Sequence, residues 1–351
     1  MSPRSAPSAA GKLALLFAAL PLAACQVTGA SAEPPPEPTL YGLRLTNDLG
    51  TMHDDYNHGT ELWLSQPIER SPGLLHDLAD SWPLRALAWP MALDSGQPDR
   101  RVLHYRFAQE FYTPVDLEVA ALQPRDRPYA AWLHAGMAVE RTRLDPDPER
   151  RRDRRATVEL DLGIVGPSAL GEPIQEGWHD LWELQQVNGW DNQLKDEPVA
   201  LFVRRHDWRL HHGAAGGGRD WDAMAHLDWS LGNLRTGLEV GTTLRLGSNL
   251  PRDFGLRSPA RPGATSDGGG GPHIFLDAGL RSFTRDIFLD GNTWKDSHSV
   301  EKKPVVGQIG LGFSVPLGPL RLRLARTMRD REFDGQQGSR GVWTLDLATS
   351  L

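Results

Sequence analysis

The chain has 351 residues, a formal net charge of −7, 39% hydrophobic residues and a mean hydropathy of −0.43. An acidic balance argues against nucleic-acid binding, and a single cysteine, Cys25, excludes an internal disulfide framework. The length admits two ordinary domains or one large all-β unit. The modest hydropathy leaves open a membrane β-barrel, whose polar interior removes any long apolar run.

Residues 13–24, "LALLFAALPLAA", follow Arg4 and Lys12 and are too short to span a bilayer, so they read as a signal-peptide core. "LAAC" at 22–25 has the form of a lipoprotein signal that would leave Cys25 acylated, and "ASA" at 30–32 has the form of ordinary cleavage. On either reading residues 1–32 are an export signal; losing them takes the net charge from −7 to −9. The Pro-rich residues 33–39 read as an extended tether before a barrel occupying 40–351.

From residue 40 onward, apolar and polar residues alternate with period two. Val158, Leu160 and Leu162 oppose Glu159 and Asp161, and Leu238, Val240, Leu244 and Leu246 oppose Glu239, Thr243 and Arg245. Parity predicts about twelve strands, near 40–48, 58–68, 101–113, 129–143, 155–166, 197–211, 221–232, 235–248, 272–284, 303–316, 318–330 and 340–351. A soluble sandwich would bury the apolar faces, and a transmembrane barrel would bury the polar ones. The export signal, strands of roughly ten residues and Gly on the polar faces favour an all-β transmembrane antiparallel barrel with an even strand count. Closure within one chain is compatible with a monomer.

With both termini on the inner side, 48–57, 114–128, 167–196 and 285–302 become outer loops, and 70–100 a long inner connection with a short interfacial helix. "AAGGG" at 214–218 and "GGGG" at 268–271 read as flexible inner turns, and "DPDPERRRDRR" at 145–155 as a solvated one. In 167–196, Ile174, Trp178, Leu181, Trp182 and Gln185 follow helical spacing, so an amphipathic helix is expected at the barrel mouth.

That helix carries His179, and the same rim receives Asn47 and Asp48 from the end of the first strand. Asn and Asp there serve turn chemistry equally well, and a lone His on such a helix is commonly structural. Together, however, hard oxygen donors suited to Ca²⁺ and a neutral imidazole able to take a proton from water are the parts needed for ester hydrolysis. Asp290, Asn292, Asp296 and His298 are candidates for a cation or a phosphate, and Arg127 for a phosphate; a hydrogen-bonded loop and an Arg–Asp contact are the structural alternatives.

The stretches "TNDLGTMHDDYNHGTELWLS", "QEFYTPVDL", "DRPYAAWLHAG", "LDLGIVGPSALGEPIQEGWH", "GWDNQLKDEP", "RLGSNLPRDFG", "IFLDGNTWKDSHSVEKKPVVGQIGLG" and "REFDGQ", in this order over nearly the whole chain, resemble the bacterial outer-membrane lipid A 3′-O-deacylase family. The resemblance implies a twelve-stranded outer-membrane barrel with its site between the wall and an outer helix. It also implies a Ca²⁺-dependent hydrolase that removes the 3′-linked acyloxyacyl group of lipid A, so that lipopolysaccharide of the outer leaflet is its partner. The family's metal-side pair falls on Asn47 and Asp48, and its catalytic histidine on His179. Asn57 stands where the family has Thr, Gln185 where it has Glu, and a family lysine has no counterpart, Arg125 and Arg127 coming only later. These departures keep two alternatives in view: a non-catalytic barrel, as a pore or envelope-structural protein, and a glycerophospholipid esterase.

Overall fold

The computed structural model describes residues 39–47, 56–70, 100–147, 149–255 and 270–350. The proposed signal peptide, nearly all of the tether, Asp48, most of the first outer loop and most of the 70–100 connection lie outside the described residues.

Twelve antiparallel strands form a closed barrel. They are β1 (Leu40–Asn47), β2 (Tyr56–Pro67), β3 (Arg100–Tyr112), β4 (Ala130–Arg143), β5 (Arg154–Val165), β6 (Glu197–Gly216), β7 (Arg219–Gly232), β8 (Arg235–Gly247), β9 (His273–Asp286), β10 (Val306–Leu317), β11 (Leu320–Arg329) and β12 (Arg340–Ser350). Each strand pairs with its sequence neighbours, and closure comes from β1 on β12, with Leu40 opposite Ser350 and Asn47 opposite Trp343. With both termini on the inner side, the end holding Leu40 and Ser350 is the inner end and Asn47 marks the outer rim. Two short helices, α1 (Gly171–Trp182) and α2 (Ile287–Asp290), lie in outer connections.

Closure decides which parity is inside. Glu159, Asp161, Glu239, Thr243 and Arg245 are buried in the lumen, while Leu160, Leu162, Leu238, Val240, Leu244 and Leu246 are exposed on the outside. An apolar exterior around a charged interior is the arrangement of a barrel in lipid. Within the lumen the charges are matched, because an uncompensated buried ion costs several kcal/mol. Arg106 donates to Asp161 at 2.8 Å and also pairs with Glu159, Arg205 pairs with Glu159 at 2.5 Å, and Arg44 bonds Asp346 at 2.9 Å.

Connections fold into the lumen at both ends. At the inner end the β8–β9 connection turns inward and buries Leu250, Asp253 and Phe254. Asp253 pairs with Arg245 and, at 2.7 Å, with Arg323; its carbonyl accepts from Arg209 at 2.7 Å, and Phe254 lies under the guanidinium groups of Arg155 and Arg209. The 145–155 turn is more than a solvated one: its Asp153 is buried and pairs with Arg209 and Arg252. The 214–218 segment is mostly strand, closing in a tight turn in which Gly216, Gly217 and Gly218 have φ of 84°, 61° and 71°. Only glycine takes this run of positive φ without strain.

At the outer end α2 folds over the mouth, where Phe288 stacks on Tyr112 at 4.2 Å beside Leu194, Leu234 and Ile287. The β11–β12 loop adds Glu332, held by Arg127 at 2.6 Å, by Arg281 and by Arg329 at 3.5 Å, next to a fully buried Phe333. Among the described residues the lumen is thus a salt-bridged core with a folded segment plugged into each end.

Candidate active site

The rim helix is placed by close packing at its start. β5 ends in a turn at Gly166 with φ 115°, a 3-10 turn spans Pro167–Ala169, and α1 begins after Leu170, which has φ 60°. A Cβ on Gly171 would meet the Ala131 Cβ and the Trp190 ring at 2.5 Å, so the helix can seat on the wall only through a residue without a side chain. Gln175 is buried and accepts from the Trp190 indole at 2.8 Å, while Gln109 donates to the Ala169 carbonyl at 2.6 Å. Beneath lie Phe111, Tyr129, Ala131, Val187 and Trp190, a small apolar core outside the barrel proper.

Register places that core on the lipid-facing side. Phe111 has the parity of Phe107 and is opposite Ala131, and His58 has the parity of Leu62 and is opposite Phe111. Leu62 and Phe107 are both 55% exposed, so this parity points outward. Asn47 is in register with His58 and shares that face. The His58 ring stacks on Phe111 at 5.3 Å and 28°, and lies 6.1 Å from Trp178 of α1. Asn47 and the helix segment carrying His179 therefore meet in one sector of the outer rim, outside the wall.

α1 stops at Trp182 because Glu183 turns left-handed at φ 55°, sending its N–H and that of Leu184 back to the Asp180 and His179 carbonyls. Gln185 is consequently not on the helix, as its spacing predicted, but in the returning loop. Its main-chain carbonyl lies 2.6 Å from His179 Nδ1. A carbonyl only accepts, so Nδ1 carries the proton and the lone pair sits on Nε2. The imidazole is thereby held in this tautomer by main chain, which any residue at 185 supplies. Gln185→Ala is expected to leave His179 in the same tautomer, since the main-chain carbonyl that fixes it is kept; imidazole ¹⁵N chemical shifts beside wild type measure this.

Asn57 is the extra residue of a β-bulge. β2 and β3 pair at Tyr56–Tyr112 and again at His58–Phe111, leaving Asn57 without a partner on β3. Bulges recur beside active sites because they re-aim a side chain, and no simple parity count would have found this one. The side chain of Asn57, like Asp48, lies outside the described residues.

Other polar groups have structural duties. Asn292 bonds the Lys195 main chain and Glu197, His298 Nε2 donates to the Asp126 carbonyl at 2.6 Å, and Asp290 pairs with Lys302 at 2.6 Å. Loop 285–302 is thus a hydrogen-bonded interlock of the outer loops. Arg127 is buried and pairs with Glu332, and its main-chain N–H donates to the Asp126 carboxylate at 2.8 Å. Sequence reading also passed over Ser65, which lies 2.6 Å from His104 Nδ1, with His104 Nε2 3.4 Å from Glu140. All three are buried in the barrel wall and lumen, so this relay is a strut sealed from any substrate.

Among the described residues no group of three or more His, Cys, Asp and Glu is arranged to hold a metal ion. The donor set of the rim nonetheless suits a hard cation: the Asn47 amide oxygen ends β1 on the outward face, and the Asp48 carboxylate follows it in the chain.

A closed barrel with an apolar exterior, a charged interior and a helix clasped to its lipid-facing wall defines a membrane β-barrel. The chain belongs to the outer membrane protein LpxR family, whose model matches residues 13–350. The fold is similar to that of LpxR from Salmonella typhimurium, with a TM-score of 0.68 and 16% identity over 89% of this chain and all of that one. The beta domain of the Bordetella autotransporter BrkA gives a TM-score of 0.44 at 9% identity, covering 90% of this chain and 99% of that one. The translocator domain of NalP from Neisseria meningitidis gives 0.39 at 7%, covering 90% and 88%. No curated protein matches the sequence significantly. Family and fold place the protein in the bacterial outer membrane.

Proposed function

We propose that the protein is an outer-membrane carboxylic ester hydrolase that removes the 3′-linked acyloxyacyl group of lipid A. The observation that carries the reading is the His179 Nδ1 bond to the Gln185 carbonyl, which leaves Nε2 as a base on a helix held against the lipid-facing wall. An ester at the outer-leaflet boundary reaches this sector without entering the barrel. In the reaction His179 Nε2 takes a proton from a water molecule as its oxygen attacks the ester carbonyl. The protonated imidazole then returns the proton to the departing sugar oxygen as the tetrahedral intermediate collapses to free acid and alcohol. The Asn57 amide, carried by the bulge, is the donor within this chain assigned to the oxyanion. Asn47 and Asp48 would hold Ca²⁺, which when bound supplies electrophilic polarisation of the carbonyl.

The plugged ends of the lumen weigh against a pore, and the main-chain origin of the His179 bond removes the weight of Gln185 against catalysis. The test is incubation of refolded protein with lipid A, with calcium or with a chelator, following product mass. Calcium-dependent loss of the 3′-acyloxyacyl unit is expected. Release of acyl chains from glycerophospholipid alone would replace the substrate assignment, and an inert, folded, calcium-binding protein would sink the hydrolase reading.

A further inference from the structure

α1 has two flanks, one on either side of the face that seats on the wall. Gly171 and Gln175 face the barrel. Glu172, Glu176 and Asp180 form one flank, while Ile174, Trp178 and Leu181, at i, i+4 and i+7, form the other. The apolar flank is exposed by 43%, 40% and 44% at those three residues, although water has no reason to favour it. The helix also runs across the strands. Its first residue packs on Ala131 of β4, and Trp178, two turns on, reaches His58 of β2. A helix laid across the outside of the wall at the rim turns one long flank toward the bilayer and the other toward water. The wall carries Leu62 and Phe107 on the same outward face, and Leu184 extends the exposed apolar surface past the helix end.

We propose that the Ile174–Trp178–Leu181 flank of α1 seats among the acyl chains at the boundary of the outer leaflet, with the acidic flank uppermost. The occupant is lipid because the flank lies on the wall face that forms the apolar belt of an outer-membrane barrel. α1 carries no Lys or Arg, so apolar burial rather than headgroup charge drives the contact. Such a seat holds His179 at the depth where ester groups of outer-leaflet lipids begin. The inference does not depend on which lipid is hydrolysed, or on hydrolysis at all.

The test is site-specific fluorescence in the full-length chain carrying Cys25→Ser, with Leu181→Cys or Asp180→Cys labelled by an environment-sensitive fluorophore. The proteins are reconstituted into phosphatidylcholine vesicles with or without brominated acyl chains, and heat-modifiable migration certifies folding. The Leu181 label is expected to be quenched several-fold more by brominated lipid than the Asp180 label, and to be the less accessible to aqueous iodide. Equal iodide access at both positions, or lipid quenching confined to the Asp180 label, overturns the proposal. Ile174→Cys supplies the same measurement should the Leu181 variant not fold.

Discussion

Replacing His179 by alanine is expected to lower ester hydrolysis by about 10²–10⁴-fold, the usual contribution of a positioned general base, while the barrel stays folded. The substitution removes one hydrogen bond at the half-exposed end of a rim helix, worth about 0.5–1.5 kcal/mol, and leaves the twelve-stranded ladder untouched. The main-chain bonds from Glu183 and Leu184 that end the helix are also retained. His179→Asn sharpens the experiment, because its amide nitrogen, carried on Cγ as Nδ1 is, can still donate to the Gln185 carbonyl but is not basic. Both variants should be equally inactive on lipid A and retain wild-type heat-modifiable migration. Substantial activity in His179→Asn would make the histidine a loop fastener and leave the general base to be found elsewhere.

Asp253→Ala is expected to destabilise the barrel by about 3–5 kcal/mol, the loss typical of removing one partner from a buried ion pair. Asp253 is 3% exposed and sits between Arg245 and Arg323, so alanine leaves two guanidinium groups facing each other in the lumen with less compensation. Urea unfolding followed by heat-modifiable migration measures the change, and a shift below about 1 kcal/mol, the range of an exposed pair, would show that the inner plug does not hold the barrel. Burial alone would raise the Asp253 carboxyl, but Arg245 and Arg323 outweigh it and hold it below the usual carboxylate range. A depressed folded-state value means that its stabilisation is complete above about pH 4, the ordinary range for an aspartate, and is lost as pH falls toward the folded value. The group therefore adds no pH dependence near neutrality.

The plugs also explain why some of the stretches that carry the family resemblance are far from His179. "RLGSNLPRDFG" contains Asp253 and Phe254 of the inner plug, and "REFDGQ" contains Glu332 and Phe333 of the outer one. "GWDNQLKDEP" and "IFLDGNTWKDSHS" interlock through Asn292, the Lys195 main chain and Glu197. These stretches build the scaffold. The candidate chemistry rests on the shorter elements around Asn47, Asn57 and His179.

Period-two alternation was enough to count the strands and to place most of their ends within a few residues, because a strand with one apolar and one charged face leaves its signature in every second residue. Asn47 and His179 could be assigned to one rim for the same reason: an even, up-and-down strand order puts alternate connections at one end. Alternation is symmetric, however, and cannot say which face is inside. Closure of β1 on β12 decided that by burying Glu159, Asp161 and Arg245 and leaving Leu160 and Leu162 outside. The same closure brings Arg44 to Asp346, 302 residues away, and Arg127 to Glu332, 205 away, pairings that no local pattern records. The role at position 185 depended on where the helix stopped. Helical spacing carried Gln185 onto the helix, whereas a left-handed turn at Glu183 put its carbonyl under the imidazole. Side-chain period reads the faces of an element; its termination and its distant partners belong to backbone geometry and tertiary contact, which exist only once the barrel has closed.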